Sequence, residues 1–110
     1  MEEERIKPIT LTDTETGKEY TLEFNRKTIV MAENAGLDLL NAAAKPATTI
    51  LKLWYYAFKM HHPTITQIQA EKLFDNLGTI PDGLVERLIK LYEAGMEALS
   101  DENPKATVVL

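Results

Sequence analysis

The 110-residue sequence contains no cysteine. Disulfides, thiolate catalysis and cysteine-type zinc sites are therefore excluded, and a cytosolic setting is the simpler expectation. Serine is nearly as scarce: Ser100 is the single one, and it falls at a predicted helix end beside a predicted flexible tail. A serine nucleophile is not expected there. A glycine-rich phosphate loop is also missing, because the five glycines are scattered at positions 17, 36, 78, 83 and 95. No apolar run approaches the ~18 residues of a membrane span, and Lys52 and Lys59 interrupt the longest candidate. The opening Met1-Glu2-Glu3-Glu4-Arg5 lacks the basic start and apolar stretch of a signal peptide. A basic excess is missing as well: 12 Lys+Arg stand against 17 Asp+Glu, a formal charge of −5. That balance disfavours a nucleic-acid binder. A soluble, cytoplasmic protein is the expectation.

Leu, Ile, Val and Phe together make 29 residues, which is enough to bury a core. The length fits one domain. The sequence predicts a charged, frayed arm over residues 1–8, a single α+β domain over 9–99, and a flexible tail over 100–110. Ile9 and Leu11 alternate with Thr10 and Thr12, and Tyr20, Leu22 and Phe24 alternate with Thr21 and Glu23. The polar segment between them holds Gly17, so the pair reads as a β-hairpin. From Asn25, a good N-cap, the period becomes helical and ends at Gly36. Leu37, Leu39 and Leu40 lead into an alanine-rich turn. Pro46 then opens a helix to about Met60 that is apolar on nearly every side, which marks it as the central, most buried helix. Thr66 with Gln69 matches a capping box for a helix from about Gln67 to Asn76, and Ile65 with Ala70 matches its staple. Pro81 or Asp82 opens a last helix to about Leu99, with Leu84, Val85, Leu88, Ile89, Leu91, Tyr92, Met96 and Leu99 as its apolar stripe. The predicted architecture is an N-terminal antiparallel β-hairpin followed by a compact bundle of about four helices. Repeats and low-complexity tracts are missing from the sequence.

His61 and His62 form the one histidine pair, but adjacent helical residues diverge by about 100°. Positions three and four further on hold Thr64, Ile65 and Thr66, so no metal set forms. Acidic pairs such as Glu93 with Glu97 read as solvated helix faces. No catalytic, cofactor-binding or metal-binding residues are predicted, and an enzyme is not expected. A different pattern is less ordinary. No acidic residue lies between Asp38 and Glu71, and Lys45, Lys52 and Lys59 recur every seven residues there. At that spacing lysines form one slowly drifting helical stripe. Trp54, Tyr55 and Tyr56 lie beside it, and aromatic residues are enriched at interface cores. The stripe is either the wet edge of a buried helix or a partner-binding surface. Val108, Val109 and Leu110 are a second candidate, as a strand added to a partner's sheet edge.

The run Thr12-Asp13 to Gly17-Lys18-Glu19-Tyr20-Thr21-Leu22-Glu23-Phe24-Asn25-Arg26, then Ala32-Glu33-Asn34-Ala35-Gly36, Leu53-Trp54-Tyr55-Tyr56-Ala57-Phe58 and His61-His62-Pro63, resembles small tail assembly chaperones of long-tailed bacteriophages and prophages of Gram-positive bacteria. The similarity covers about residues 9–95. It implies binding to the long, aggregation-prone tape measure protein in the bacterial cytoplasm, and self-association. The family often makes a second, extended form by ribosomal frameshifting. The resemblance supplies no catalytic residues. Two other functions compete with this one: a structural subunit of a virion or other assembly, and a small helix-turn-helix regulator built from residues 66–99. Three basic against six acidic residues over 67–99 make the regulator a poor match for phosphate.

Overall fold

The computed structural model describes residues 6–97 and 109–110. The hairpin forms where alternation placed it. β1 (Ile9–Thr12) pairs antiparallel with β2 (Glu19–Leu22), in the register Ile9 to Leu22 and Thr10 to Thr21. Cross-strand partners share a face, so Ile9, Leu11, Tyr20 and Leu22 lie together towards the core. Gly17 carries φ +76° in the turn between the strands, a conformation that costs glycine nothing.

Helix α1 (Arg26–Asn34) opens on a full capping box. Asn25 Oδ1 accepts from Thr28 N at 2.9 Å, and Thr28 Oγ1 accepts from Asn25 N at 3.0 Å. It closes on a Schellman motif: Gly36 takes φ +100°, Gly36 N donates to Glu33 O, and Leu37 N donates to Ala32 O. Leu37 is then buried where the chain turns back. The alanine-rich turn is a pair of 3₁₀ turns, Leu39–Ala44, kinked at Asn41 and capped by the Asp38 carboxylate on Leu40 N.

Helix α2 (Pro46–Lys59) is the central element the sequence predicts. It packs against α1, α3, α4, β2 and the 3₁₀ segment. Trp54 and Phe58 stack edge-on at 5.2 Å in its buried face. Helix α3 (Gln67–Asp75) carries the expected Thr66–Gln69 box, with Ile65 and Ala70 both buried. Helix α4 spans Leu84–Glu97.

The structure corrects the sequence reading in several places. α4 starts at Leu84 rather than at Pro81 or Asp82, because Gly83 takes φ +84°, outside the helical region. Met96 leaves the buried stripe and is 58% exposed. The predicted arm 1–8 is not frayed throughout: Ile6 packs on the core, and Lys7 O accepts from the Arg87 guanidinium at 3.0 Å. Residues 1–5 and the tail over 98–108, including Leu99, Ser100 and Val108, lie outside the described residues. Gly95 has a packing role that periodicity does not reveal. It is buried, and a Cβ there would sit 2.9 Å from Ile29 Cδ1 and 3.1 Å from Phe24 O. α4 lies against α1 and the end of β2 at a distance only glycine allows. Among the described residues, no helix is long and apolar enough to cross a membrane.

Candidate functional site

The lysine and aromatic residues of α2 do not form one open stripe. Trp54 is 1% exposed. Its Nε1–H donates to Ala70 O at 2.7 Å, which ties α2 to α3. It is a core residue, and its assignment as a partner contact is corrected on that ground: a buried indole with its one donor satisfied offers a partner nothing. Lys52 Nζ donates to Ala35 O at 2.7 Å, at the C-terminal end of α1. Lys59 Nζ donates to Pro63 O at 3.2 Å and to Ile65 O at 3.1 Å, and stands 5.0 Å over the Tyr55 ring. With no carboxylate in the window, Lys52 settles on a carbonyl at the C-terminal end of α1, where partial negative charge collects, and Lys59 settles on two carbonyls of the α2–α3 loop. They fasten loops rather than line a rail. Lys45 is exposed at the entry to α2 and points to no partner group among the described residues. Tyr55 and Tyr56 are half-buried, with ring centroids 4.8 Å apart. Val109 and Leu110 are fully exposed.

The structure brings together a different surface. The 3₁₀ segment, α2 and α4 enclose a shallow apolar groove of about 230 Å³, lined by Leu39, Ala42, Ala43, Pro46, Ile50, Val85 and Ile89 among others. Leu40 stands on the same segment and is 97% exposed. Lys45 adjoins Pro46 at its rim. A groove whose lining is this apolar is the kind of exposure that marks a contact surface. Sequence reasoning missed it because Leu39 and Leu40 read only as the lead into an alanine-rich turn, with no face assigned to either. Adjacent residues of a 3₁₀ turn point about 120° apart, so Leu39 packs on the core while Leu40 faces out.

A second cavity, of about 470 Å³ and polar, lies between the hairpin turn and α3. Asp13, Lys18, His61, His62, Gln69 and Lys72 line it. Several of its polar groups are already engaged. The Asp13 carboxylate accepts from Glu15 N, Gln69 closes the capping box, and His61 Nε2 meets Glu23 Oε1 at 2.9 Å. His62 is the residue whose role the sequence conceals. Its Nε2 accepts from the backbone N–H of Thr21 at 3.0 Å, so the neutral ring carries its proton on Nδ1. Partial burial holds its pKa below the ordinary value, helped by the positive charges of Lys18 and His61. His62 therefore clamps β2 to the end of α2. Adjacent histidines at a helix end give no hint of a strand 41 positions away. On α4, Tyr92 is buried and reaches Glu33 at 3.5 Å. Burial and that carboxylate push its hydroxyl pKa up.

Among the described residues, no three His, Asp or Glu side chains converge as a metal site. The chain was compared with known proteins. No curated protein and no solved structure matches it. Residues 3–109 match one family over nearly the whole chain, and the chain accordingly belongs to the family described as Domain of unknown function (DUF5055).

Proposed function

We propose that this chain is a non-enzymatic binding protein of phage tail assembly, a chaperone that keeps a long tape measure protein soluble and competent for assembly. The observation that carries a binding role is the apolar groove beside α2 and α4, together with the exposed Leu40 on the 3₁₀ segment that forms one wall. Such a groove takes the apolar stripe of a client helix, as helix-in-groove recognition does elsewhere. The identity of the client rests on the resemblance drawn from the residues of β2, α1 and α2. Weak single contacts suit the task, because many copies on one long client gain avidity without tight individual binding.

The test is an affinity pull-down from the native cells during phage induction, read by mass spectrometry. The unmodified chain is compared with a Leu40→Glu/Ala43→Glu variant. Both positions are exposed, so folding should survive. Recovery of one very long, helix-rich phage protein, lost in the variant, supports the reading. Capsid or tube proteins instead, or copies of the chain alone, would overturn it. Equal recovery by the variant would remove the groove as the docking face. One observation favours a structural subunit instead: among the described residues, nothing pairs with the outer edge of β1. That reading requires the protein to be present in purified particles, from which a chaperone should be absent.

A further inference from the structure

A two-stranded sheet has two edges, and here they differ. The outer edge of β2 is closed by α2. Thr21 N donates to His62 Nε2 at 3.0 Å, and Glu23 N donates to Ala57 O at 2.9 Å. Since Thr21 N–H points away from β1, the pair Thr10–Thr21 exchanges no ladder bonds. The N–H and C=O of Thr10 therefore face outward from the sheet, and those of Thr12 do the same two residues on. Among the described residues these groups meet no partner, backbone or side chain. Both threonines are exposed. β1 is short and follows on Pro8, but the run Ile-Thr-Leu-Thr itself holds no charge and no proline to block pairing.

The same chain carries a segment of strand-forming composition near its C-terminus. Residues 106–110 read Ala-Thr-Val-Val-Leu, uncharged, with three consecutive β-branched residues. Their alternation fits the acceptor. Ala106, Val108 and Leu110 fall on one face, to lie beside Ile9 and Leu11. Thr107 and Val109 fall on the other, beside Thr10 and Thr12. Val109 and Leu110 stand fully exposed instead of seated on their own β1.

We propose that residues 106–110 of one copy add as a third strand to the open edge of β1 in a second copy. Donor and acceptor are different surfaces, so the contact is heterologous and repeats from copy to copy. The assembly is an open string rather than a closed dimer. It does not rest on the client proposed above, and its test needs no client.

The absence of native cysteine makes the test direct. Single-cysteine chains Thr10→Cys and Val109→Cys are mixed in equal amounts, oxidised mildly and run without reductant. Thr107→Cys serves as the neighbouring-register check. Opposed strand residues lie about 5.5 Å apart, within disulfide reach. The expected product is the mixed dimer, at several-fold lower yield when the donor copy also carries Val108→Lys. The chain with both cysteines should give a ladder of oligomers. A dominant Thr10→Cys homodimer would overturn the proposal in favour of β1–β1 pairing. A cross-linked monomer of the double variant would place the tail on its own edge and overturn it too. No cross-link at any of these positions would do the same. Independently, sedimentation velocity should show larger species for the full chain, lost on truncation after Lys105. Identical profiles would refute the assignment.

Discussion

Gly95→Ala sets two physical effects against each other, and the structure says which wins. Helix propensity alone favours alanine by about 1 kcal/mol. The packing opposes it. An added Cβ would lie 2.9 Å from Ile29 Cδ1, 3.1 Å from Phe24 Cβ and 3.1 Å from Phe24 O. Ordinary carbon contacts are about 3.5–4.0 Å, so α4 must back away by roughly half an ångström. Ile29 has nowhere to turn, being only 4% exposed, and the Phe24 carbonyl belongs to backbone. Overpacking of this kind costs about 1–3 kcal/mol. Net destabilisation of about 1 kcal/mol remains, a fall in Tm of about 4–8 °C for a domain of this size. Thermal unfolding by circular dichroism measures it. The double variant Ile29→Val/Gly95→Ala sharpens the test, since Ile29→Val removes the nearest atom. The valine change should cost less in the Gly95→Ala background than alone, where about 0.5–1.5 kcal/mol is expected. A Tm raised by Gly95→Ala, or strict additivity of the pair, would refute the close approach of α4 to α1.

Other outcomes follow from single contacts. The unfolded His62 imidazole takes a proton near pH 6.5 and the folded one only at lower pH. Its contribution to stability is therefore whole above pH 6.5 and falls as pH drops through the lowered folded value. Urea midpoints at pH 7.5 and 5.5 should differ less for His62→Gln, whose amide oxygen still accepts from Thr21 N; an unchanged difference would exclude His62 as the titrating clamp. Trp54→Phe removes the bond to Ala70 O and part of the buried ring, and should cost about 1–3 kcal/mol in urea unfolding. Because Trp54 is the single tryptophan and is buried, native emission should be blue-shifted and move to the red in one cooperative step on unfolding. Lys52→Met keeps the apolar stem but loses the bond to Ala35 O, for an expected cost of about 0.5–1.5 kcal/mol.

Local chemistry made much of the fold legible. Asn25, Thr66 with Gln69, Gly36 and Pro46 fix helix ends through groups one turn away, so their effects do not wait for tertiary contacts. Alternation around Gly17 did the same for the hairpin, and the apolar surround of residues 50–58 marked α2 as central. The candidate surface was less legible. Spacing put Lys45, Lys52 and Lys59 near one line. It could not show that Lys52 reaches the end of α1, that Lys59 folds onto the loop that follows its own helix, or that Trp54 is spent on Ala70. Those choices depend on which acceptors the fold brings near. The sequence by itself determined where the hairpin and helices α1, α2 and α3 begin, because caps, turns and periodicity act within a few residues. Only the tertiary structure decided that Leu40 faces outward, that His62 holds β2 and that one sheet edge meets no partner among the described residues. Each of these depends on which elements meet, and those contacts join residues tens of positions apart.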